Sequence, residues 1–240
     1  MLEPALERPF TVVAKSMATP RMALLCLRPL QSKLTFAAGQ YVVLTDASGV
    51  LPPRSYSIAN APRQDGTIDL LVSAVESGET SGWILNRLAV GEEASLAGPY
   101  GTFTIGAQDS GPRLYLAGGA GLAPILALLE DTLERARLAA WLIFSARTEV
   151  DVACRERLLE WQASWPWFRF LRTLTRAEGP PLLGRIPTIL PGLFPKLAGY
   201  SIFSAGGPGF VDACAAAAIR LGAAEGRVHT EAFFSEPQPW

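Results

Sequence analysis

The hydrophobic pattern of this sequence changes its period once, between residues 106 and 112. Before this point, short β-prone runs alternate with glycine- and proline-rich turns, and one helical segment, Ser81 to Leu88, interrupts them. After it, strands and helices alternate to the end of the sequence. The first pattern is typical of a closed antiparallel β-barrel, and the second of a parallel sheet with helices on both faces. We therefore predict a β-barrel domain over residues 1–108 and an α/β parallel-sheet domain over residues 109–240.

The boundary between these domains falls in the segment from Gly106 to Pro112, where polar residues, glycine and proline gather. Such a composition is typical of a hinge. In the second half, the pattern predicts helices over residues 123–137, 153–164, 186–193 and 210–221. It predicts the intervening strands over residues 113–117, 140–145, 168–173, 200–204 and 227–232.

The charge balance excludes several kinds of partner. The 240 residues carry 21 Lys and Arg against 22 Asp and Glu, so the net charge is −1. So small a charge creates no field that attracts nucleic acid or an anionic membrane surface. The first residues lack the basic start and apolar core of a secretory signal, and the longest apolar run, 114–129, is too short to span a membrane. We expect a cytoplasmic protein that binds neither nucleic acid nor membrane.

Histidine and cysteine are too few for several metal centres. His229 is the only histidine, so no histidine-based metal site or two-histidine mechanism can be built, and a structural role is expected for it. The cysteines Cys26, Cys154 and Cys214 are far apart, whereas a plant-type iron–sulfur cluster needs four thiolates. We expect no metal site, and we expect the three thiols to be buried apolar side chains.

A glycine-rich loop follows the first strand of the second half. Leu114-Tyr-Leu-Ala117 leads into Gly118-Gly-Ala-Gly-Leu-Ala-Pro124, and a helix follows. Glycines let the backbone approach a pyrophosphate, and a helix N-terminus favours its charge, so the loop indicates a Rossmann-like nucleotide site. The spacing is Gly-x-Gly-x-x-Pro rather than Gly-x-Gly-x-x-Gly, and a turn that only packs helix against strand is the alternative. A second loop, Ser204 to Gly209, also joins a strand to a helix at the same predicted sheet edge and favours the nucleotide interpretation.

The end of the second strand contains both kinds of residue that select a coenzyme. Arg147 suits a 2′-phosphate on the adenosine ribose, whereas Glu149 and Asp151 suit a free 2′-hydroxyl. Arg176 is a second candidate for the phosphate. Arg147 as a solvated side chain beside the next helix is the alternative.

Three elements of the first half suggest an anionic, aromatic ligand. Arg54-Ser-Tyr-Ser57 places a cation and a phenol on one face of a strand. Gly78-Glu-Thr-Ser81 opens the short helix and offers hydroxyls and amides to an anion. Gly98-Pro-Tyr-Gly-Thr-Phe103 ends the barrel half.

With Ala38-Gly-Gln-Tyr41, these elements and the glycine loop resemble the ferredoxin–NADP reductase superfamily over nearly the whole chain. The resemblance is closest to the NADH-dependent reductase components of bacterial Rieske-type dioxygenases. Those proteins often carry a fused ferredoxin domain, for which these 240 residues hold no matching set of cysteines. The resemblance implies an FAD-binding barrel and an NAD(P)H-binding α/β domain.

The resemblance also implies roles for individual residues. Ser57, near flavin N5, and Glu231, in an acidic-x-Phe element near the flavin, would be catalytic, while Phe233 is equally well explained as a core aromatic residue. The cofactor-binding residues would be Arg54, Ser55, Tyr56, Ser57, Leu71, Val72, Ser73, Gly78, Thr80, Ser81, Gly119, Gly121, Leu122, Ala123, Pro124, Arg147, Gly206, Gly207, Pro208 and Phe233.

One departure from the family concerns the second glycine loop. The family commonly has Cys-Gly-Pro-Pro-x-Met there, and this sequence has Ala205-Gly-Gly-Pro-Gly-Phe210. Loss of the thiol leaves hydride transfer feasible but puts its rate in doubt.

The sequence therefore predicts an FAD-dependent oxidoreductase that takes a hydride from NADH and passes electrons singly to a separate iron–sulfur protein. The resemblance favours NADH over NADPH. Two alternatives stay open: an NAD(P)H:flavin reductase that reduces free flavin, and a non-catalytic nucleotide-binding regulatory module, for which Ala205 leaves room.

Overall fold

The computed structural model describes residues 7–176 and 184–234. The strands are β1 Arg8–Thr19, β2 Met22–Pro29, β3 Tyr41–Asp46, β4 Arg54–Ser57, β5 Ile68–Ser73, β6 Glu93–Tyr100, β7 Arg113–Gly118, β8 Ala140–Ala146, β9 Phe168–Leu174, β10 Ser201–Gly206 and β11 Val228–Ala232. The helices are α1 Glu79–Asn86, α2 Leu122–Asp131, α3 Arg155–Ser164, α4 Ile186–Leu193 and α5 Pro208–Arg220.

The first six strands form one antiparallel sheet in the order β4-β3-β6-β1-β2-β5. Its two edges meet, because Ile58 forms a bridge with Leu70 and the Ala59 amide donates to the Asp69 carbonyl at 2.8 Å. The sheet therefore curls into the predicted antiparallel barrel. Apolar side chains from every strand except the edge strand β4 fill it, and α1 covers one end with Ile84.

The last five strands form a parallel sheet in the order β11-β10-β7-β8-β9. Alternate side chains of β7 face opposite layers: Tyr115 packs with α2 and α3, and Leu114 packs with α4 and α5. Both faces of the sheet are therefore buried, as in other parallel sheets. This architecture confirms the predicted α/β half.

One apolar cluster joins the barrel to the α/β half. Leu71 of β5 and Phe103, beyond β6, belong to the same buried cluster as Leu122 and Ala123 of α2. β5 also contacts the short 3-10 turn Gly119–Gly121 that precedes α2. β5, which the family resemblance assigns to the FAD site, and the first glycine loop, which it assigns to the NAD(P)H site, are therefore neighbours.

Four charged side chains form a second connection between the halves. Arg63 makes a bidentate pair with Asp69 of β5, with N–O distances of 3.1 and 2.8 Å. On the other side, Arg157 of α3 lies 3.1 Å from Glu130 of α2. The Glu130 carboxylate accepts a hydrogen bond from the Ala61 amide at 2.7 Å, across the boundary. We call Arg63, Asp69, Glu130 and Arg157 the interdomain ion-pair network.

The segment from Gly106 to Pro112 is anchored to the α/β half. Asp109 is 1% exposed, its Oδ2 accepts from the Gly106 amide at 2.8 Å, and His229 Nε2 lies 3.0 Å from its Oδ1. Arg113 donates to the Asp109 carbonyl at 3.0 Å. The His229 ring also stacks on Phe203 with centroids 4.6 Å apart, so its contacts are those of a structural residue.

The helix after the glycine loop ends earlier than its hydrophobic period predicts. Its α-helical part stops at Asp131, a π-helical turn covers Thr132–Ala136, and Arg137 is left-handed with φ 49°. The Thr132 hydroxyl donates to the Leu128 carbonyl at 2.8 Å and lies 2.6 Å from the Tyr115 hydroxyl. A threonine that bonds one turn back distorts a helix, which explains the change of geometry.

The three cysteines are free, and only Cys214 is fully buried; Cys26 and Cys154 are half-buried. Burial raises the pKa of Cys26 and Cys154 to about 11 and that of Cys214 to about 12, so all three are protonated thiols near neutral pH. Among the described helices, none is long and apolar enough to cross a membrane.

Candidate functional site

β4 carries the Arg-x-Tyr-Ser element at one edge of the barrel sheet. Arg54 and Tyr56 alternate with Ser55 and Ser57, so each pair shares one face. Arg54 is exposed and donates to the Pro53 carbonyl at 2.9 Å, while Tyr56 packs half-buried against the barrel core. Burial raises the pKa of Tyr56 to about 12, although the Arg54 guanidinium opposes the shift. A cation and a neutral phenol therefore lie close together on this edge.

β5, the strand that contacts the Gly119–Gly121 turn, ends in an unsatisfied hydroxyl. Leu71 and Val72 are buried, whereas Ser73 is half-buried. The Ser73 Oγ is shielded from solvent and has no hydrogen-bond partner within residues 7–176 and 184–234. An unpaired buried hydroxyl costs free energy, so a polar ligand atom at this position would stabilise it.

At the start of α1, the hydroxyl groups that the sequence offers to an anion already have hydrogen-bond partners. Thr80 donates its hydroxyl to the Pro52 carbonyl at 2.6 Å, and Ser81 donates its own to the Gly78 carbonyl at 3.2 Å. Both hydroxyl hydrogens are donated within the barrel half, and the assignment of Thr80 and Ser81 to an anion site stays a prediction. The first-turn amides have no intrahelical acceptor and are the donors that this helix offers. Gly78 fits because a Cβ there would lie 2.6 Å from Ser81 Oγ.

The two glycines of the first loop are required for different reasons. Gly119 has φ +55°, and a Cβ there would meet no atom within 4 Å, so its surface is open to a ligand. A Cβ at Gly121 would lie 2.1 Å from the Ala205 carbonyl oxygen, so this glycine lets β10 pass against the loop. Leu122, Ala123 and Pro124 are buried, and they offer a ligand only backbone atoms.

The second glycine loop lies directly against the end of the chain that the structure describes. Gly206 has φ +154°, Gly207 is the N-cap of α5, and Pro208 is its first residue. The Phe233 amide donates to the Gly206 carbonyl at 2.8 Å, and its ring packs half-buried on the cluster that joins the two halves. A Cβ at Gly207 would meet nothing within 4 Å, so the loop keeps an open surface.

Glu231 stands out electrostatically in this region. It pairs in register with Ala205 on β10, and burial raises its pKa to about 7. Its Oε2 is shielded from solvent and unpaired within the described residues. A carboxyl group with this pKa exchanges a proton near neutral pH, as a residue that exchanges protons with a ligand must.

Ala205, which replaces the family cysteine, is fully buried between Ala117 and Glu231 in the sheet register. It belongs to the apolar cluster, and the Gly121 turn lies against its backbone. The small apolar side chain therefore fits the cluster in which it is buried.

Arg147 follows β8, the strand next to β7. It lines a depression of about 300 Å³ with Thr175, Arg176, Gly184 and Arg185. No spacing in the sequence points to Arg185, because strand pairing and the start of α4 bring these arginines together.

The structure thus brings some of the predicted site residues together at one place. The end of β5, both glycine loops, Glu231 and Phe233 lie around one junction between the two sheets. Among the described residues, no group of three or more His, Cys, Asp or Glu side chains is arranged to hold a metal ion.

Comparisons with known proteins agree with this arrangement. The family model "Oxidoreductase FAD-binding domain" matches residues 9–105, and "Oxidoreductase NAD-binding domain" matches residues 115–215. Reductase component 1 of terephthalate 1,2-dioxygenase from Comamonas sp. is 30% identical over 243 residues, which cover 98% of this chain and 71% of that protein. The ferredoxin–NAD(P)(+) reductase component of the naphthalene 1,2-dioxygenase/salicylate 5-hydroxylase systems of Ralstonia sp. is 32% identical over 229 residues, 93% of this chain and 68% of that protein.

Among solved structures, an Amycolatopsis cytochrome P450 reductase superposes with a TM-score of 0.86 at 29% identity, covering 95% of this chain and 71% of that one. The barrel, the parallel sheet and the junction between them define an oxidoreductase that binds FAD and a nicotinamide dinucleotide. The chain belongs to the ferredoxin–NAD(P) reductase family, which includes the reductase components of dioxygenase systems.

The residues of the junction, together with those of β4, fit FAD. Ser73 Oγ and Glu231 Oε2 are buried polar atoms that a ligand would satisfy, and the half-buried Tyr56 offers an aromatic face beside a cation. An anionic, aromatic cofactor is the kind of ligand that such a set accommodates.

Proposed function

We propose that the protein takes reducing equivalents from NAD(P)H through FAD and delivers them singly to a separate iron–sulfur protein of an oxygenase system. The observation that carries the proposal is the contact of β5 with the Gly119–Gly121 turn. The strand that we propose lines the flavin therefore lies beside the loop that we propose binds the nicotinamide dinucleotide. The relatives are named as reductase components of dioxygenase and hydroxylase systems, which supports a protein acceptor.

When bound, FAD accepts a hydride from a reduced nicotinamide and releases electrons one at a time. The chain's own contribution is binding and orientation. Arg54 and the first-turn amides of α1 neutralise a pyrophosphate, and Tyr56 supports one face of the ring system. Ser57, which is 5% exposed, is the proposed donor near flavin N5.

The two glycine loops and Glu231 complete the proposed coenzyme side. Gly119 and Gly207 leave room for a coenzyme backbone, and Gly206 and Pro208 border it. Glu231, which gains or loses a proton near pH 7, adjusts the charge at the junction when the reaction changes charge there. Phe233 closes the junction against water.

The proposal is tested in two steps with the purified protein. A visible absorption spectrum is recorded after FAD addition, before and after anaerobic NAD(P)H, and bleaching of the flavin bands is expected. Turnover is then measured with a [2Fe–2S] ferredoxin and, separately, with free FMN. Ferredoxin reduction at a rate well above that with FMN supports the proposal.

The other outcomes separate the alternatives. Fast reduction of free FMN without reduction of any ferredoxin would instead show a flavin reductase. A protein that does not oxidise NAD(P)H with FAD present would show a module without turnover. A cytoplasmic location and the domain division at residues 108/109 stay predictions.

A further inference from the structure

We propose that Arg147, Arg176 and Arg185 form a pocket for the 2′-phosphate of the adenosine ribose, so that NADPH rather than NADH is the preferred coenzyme. We call these residues the three-arginine pocket. The inference rests on the proposed function for its nucleotide and reverses the NADH preference that the family resemblance suggests.

Backbone pairing beyond β8 and β9 brings two of the arginines together. The Thr175 amide donates to the Ala146 carbonyl at 3.0 Å, and the Arg176 amide donates to the Arg147 carbonyl at 2.9 Å. The two strands therefore continue side by side past their carboxyl ends. These ends lie at the same sheet edge as the two glycine loops, because all strands of the sheet are parallel.

The third arginine arrives at the same place from the start of α4. The Gly184 amide donates to the Leu174 carbonyl at 3.5 Å, and the Thr173 hydroxyl donates to the Gly184 carbonyl. Gly184 has φ +119°, a left-handed conformation that favours glycine. Arg185 follows as the N-cap of α4 and makes no side-chain cap bond. The chain is thus held so that Arg185 lines the same depression of about 300 Å³.

Within the described part of the chain, the two acidic residues that follow β8, Glu149 and Asp151, are bound to groups outside this pocket. Glu149 lies 2.9 Å from Arg172 Nε and 3.3 Å from Arg155 Nε, so two other arginines compensate its charge. Asp151 accepts from the amide and the hydroxyl of Thr148 at 3.0 and 2.7 Å, which fixes it in a capping box. Glu149 is therefore paired with arginines outside the pocket, and Asp151 is held by Thr148 through its Oδ2.

Within residues 7–176 and 184–234, the guanidinium groups of the three-arginine pocket have no ion pair or hydrogen bond. Exposed cations that line one depression repel one another, and a phosphate dianion relieves that repulsion. Guanidinium groups bind phosphate oxygens in planar, bidentate geometry, which makes arginine the best side chain for the purpose. Thr175, in the same lining, donates its hydroxyl to the Ala146 carbonyl at 3.3 Å, so the arginines are the donors that the pocket offers.

The pocket is tested with two ligands that differ only in the 2′-phosphate. Isothermal titration of the purified protein with 2′,5′-ADP and with 5′-AMP gives two dissociation constants. We expect 2′,5′-ADP to bind at least about tenfold more tightly at low salt, and the advantage to shrink as ionic strength rises. In steady-state assays with ferricyanide, kcat/KM for NADPH should exceed that for NADH by a similar factor.

Variants assign the effect to residues. Arg176→Ala and Arg185→Ala should each weaken 2′,5′-ADP binding by about tenfold and leave 5′-AMP binding unchanged, since a charge-assisted bond is lost. Arg220→Ala is the matched control, because this exposed arginine ends α5, which runs back from the carboxyl edge to the opposite edge of the sheet. Circular dichroism of each variant checks that it is folded.

Equal affinities for 2′,5′-ADP and 5′-AMP, or NADH preferred over NADPH, would overturn the inference while leaving the proposed reductase intact. Preferential 2′,5′-ADP binding that is lost in the two variants, in a protein that oxidises neither coenzyme, would uphold the pocket and refute the reductase. The two failures are therefore distinguishable.

Discussion

Replacing Glu130 by alanine tests whether the interdomain ion-pair network stabilises the junction that forms the cofactor site. Glu130 lies near the end of α2 and its side chain is 15% exposed. It accepts from the Ala61 amide at 2.7 Å and lies 3.1 Å from Arg157. These two contacts, one to the barrel half and one within the α/β half, disappear in Glu130→Ala, and so does a longer ion pair of 3.7 Å with Arg63.

The size of the effect follows from these two contacts. A backbone amide left without its acceptor costs about 1–3 kcal/mol when water cannot replace it. The arginines lose less, because Arg63 and Arg157 are 31% and 23% exposed and both stay close to Asp69. For pairs this exposed, we expect about 0.5–1 kcal/mol. The loss of unfolding free energy is therefore about 2–3 kcal/mol, or roughly 5–10 °C in melting temperature for a chain of this size.

The assay is thermal unfolding followed by circular dichroism, with the same saturating FAD concentration for every variant because ligand binding itself raises stability. Glu130→Gln keeps an acceptor for Ala61 and loses only the charge, so its melting temperature should fall by roughly a third as much, given the smaller value of exposed ion pairs. Glu134→Ala, an exposed position on the next turn, is the control and should change the unfolding free energy by less than about 0.5 kcal/mol. If Glu130→Ala and the Glu134→Ala control have the same melting temperature, the interdomain ion-pair network does not stabilise the junction.

Three further predictions concern other parts of the structure. Burial raises the pKa of Glu231 from 4.5 to about 7, so between these pH values the folded state keeps a proton that the unfolded chain releases. The free energy of unfolding should therefore fall as the pH rises from 4.5 to 7. Urea unfolding of Glu231→Gln over this pH range should show no such fall. Burial alone would raise the pKa of Asp109, but hydrogen bonds from Gly106 and His229 outweigh it and hold the pKa below 3.8. The ionised carboxylate should therefore stabilise the fold above pH 3.8 and cease to do so at lower pH. Asp109→Asn should melt at a lower temperature than the wild type at pH 7, and its melting temperature should depend less on pH in the acid range. Gly121→Ala, whose Cβ would collide with a backbone oxygen, should cost at least about 1–3 kcal/mol and weaken coenzyme binding. A Gly192→Ala control in helix α4 should do neither, since a Cβ there meets no atom.

Local sequence patterns were sufficient where structure depends on near neighbours. The strand–helix alternation predicted α4 at Ile186–Leu193 to the residue. β1 is longer than its apolar run suggests, because register shifts between Val12 and Ala14 and between Met17 and Thr19 interrupt the alternation of buried side chains. Periodicity therefore identifies an element better than it identifies its ends.

Contacts between residues far apart in the sequence could not be predicted from sequence patterns. His229 is 120 residues from Asp109, and Glu130 is 69 residues from Ala61. No spacing rule connects such pairs, because each depends on the way the two sheets are placed against one another. The same limit applies to Arg185, which lies beside Arg147 and Arg176 because Gly184 is hydrogen-bonded to the end of β9.

The contacts of the two halves explain why the site lies where it does. The glycine at position 121 admits the backbone of Ala205, so the two loops are fixed relative to each other before any ligand binds. β5 lies against the same turn, and the ion-pair network fastens β5 to α2 and α3. Hydride transfer requires two ring systems within roughly 3–3.5 Å, and such a distance is reproducible only on a junction that does not open freely. The apolar cluster and the network therefore serve the reaction by restricting the relative motion of the two sheets, and a loosened junction should slow coenzyme oxidation more than it weakens binding to either half.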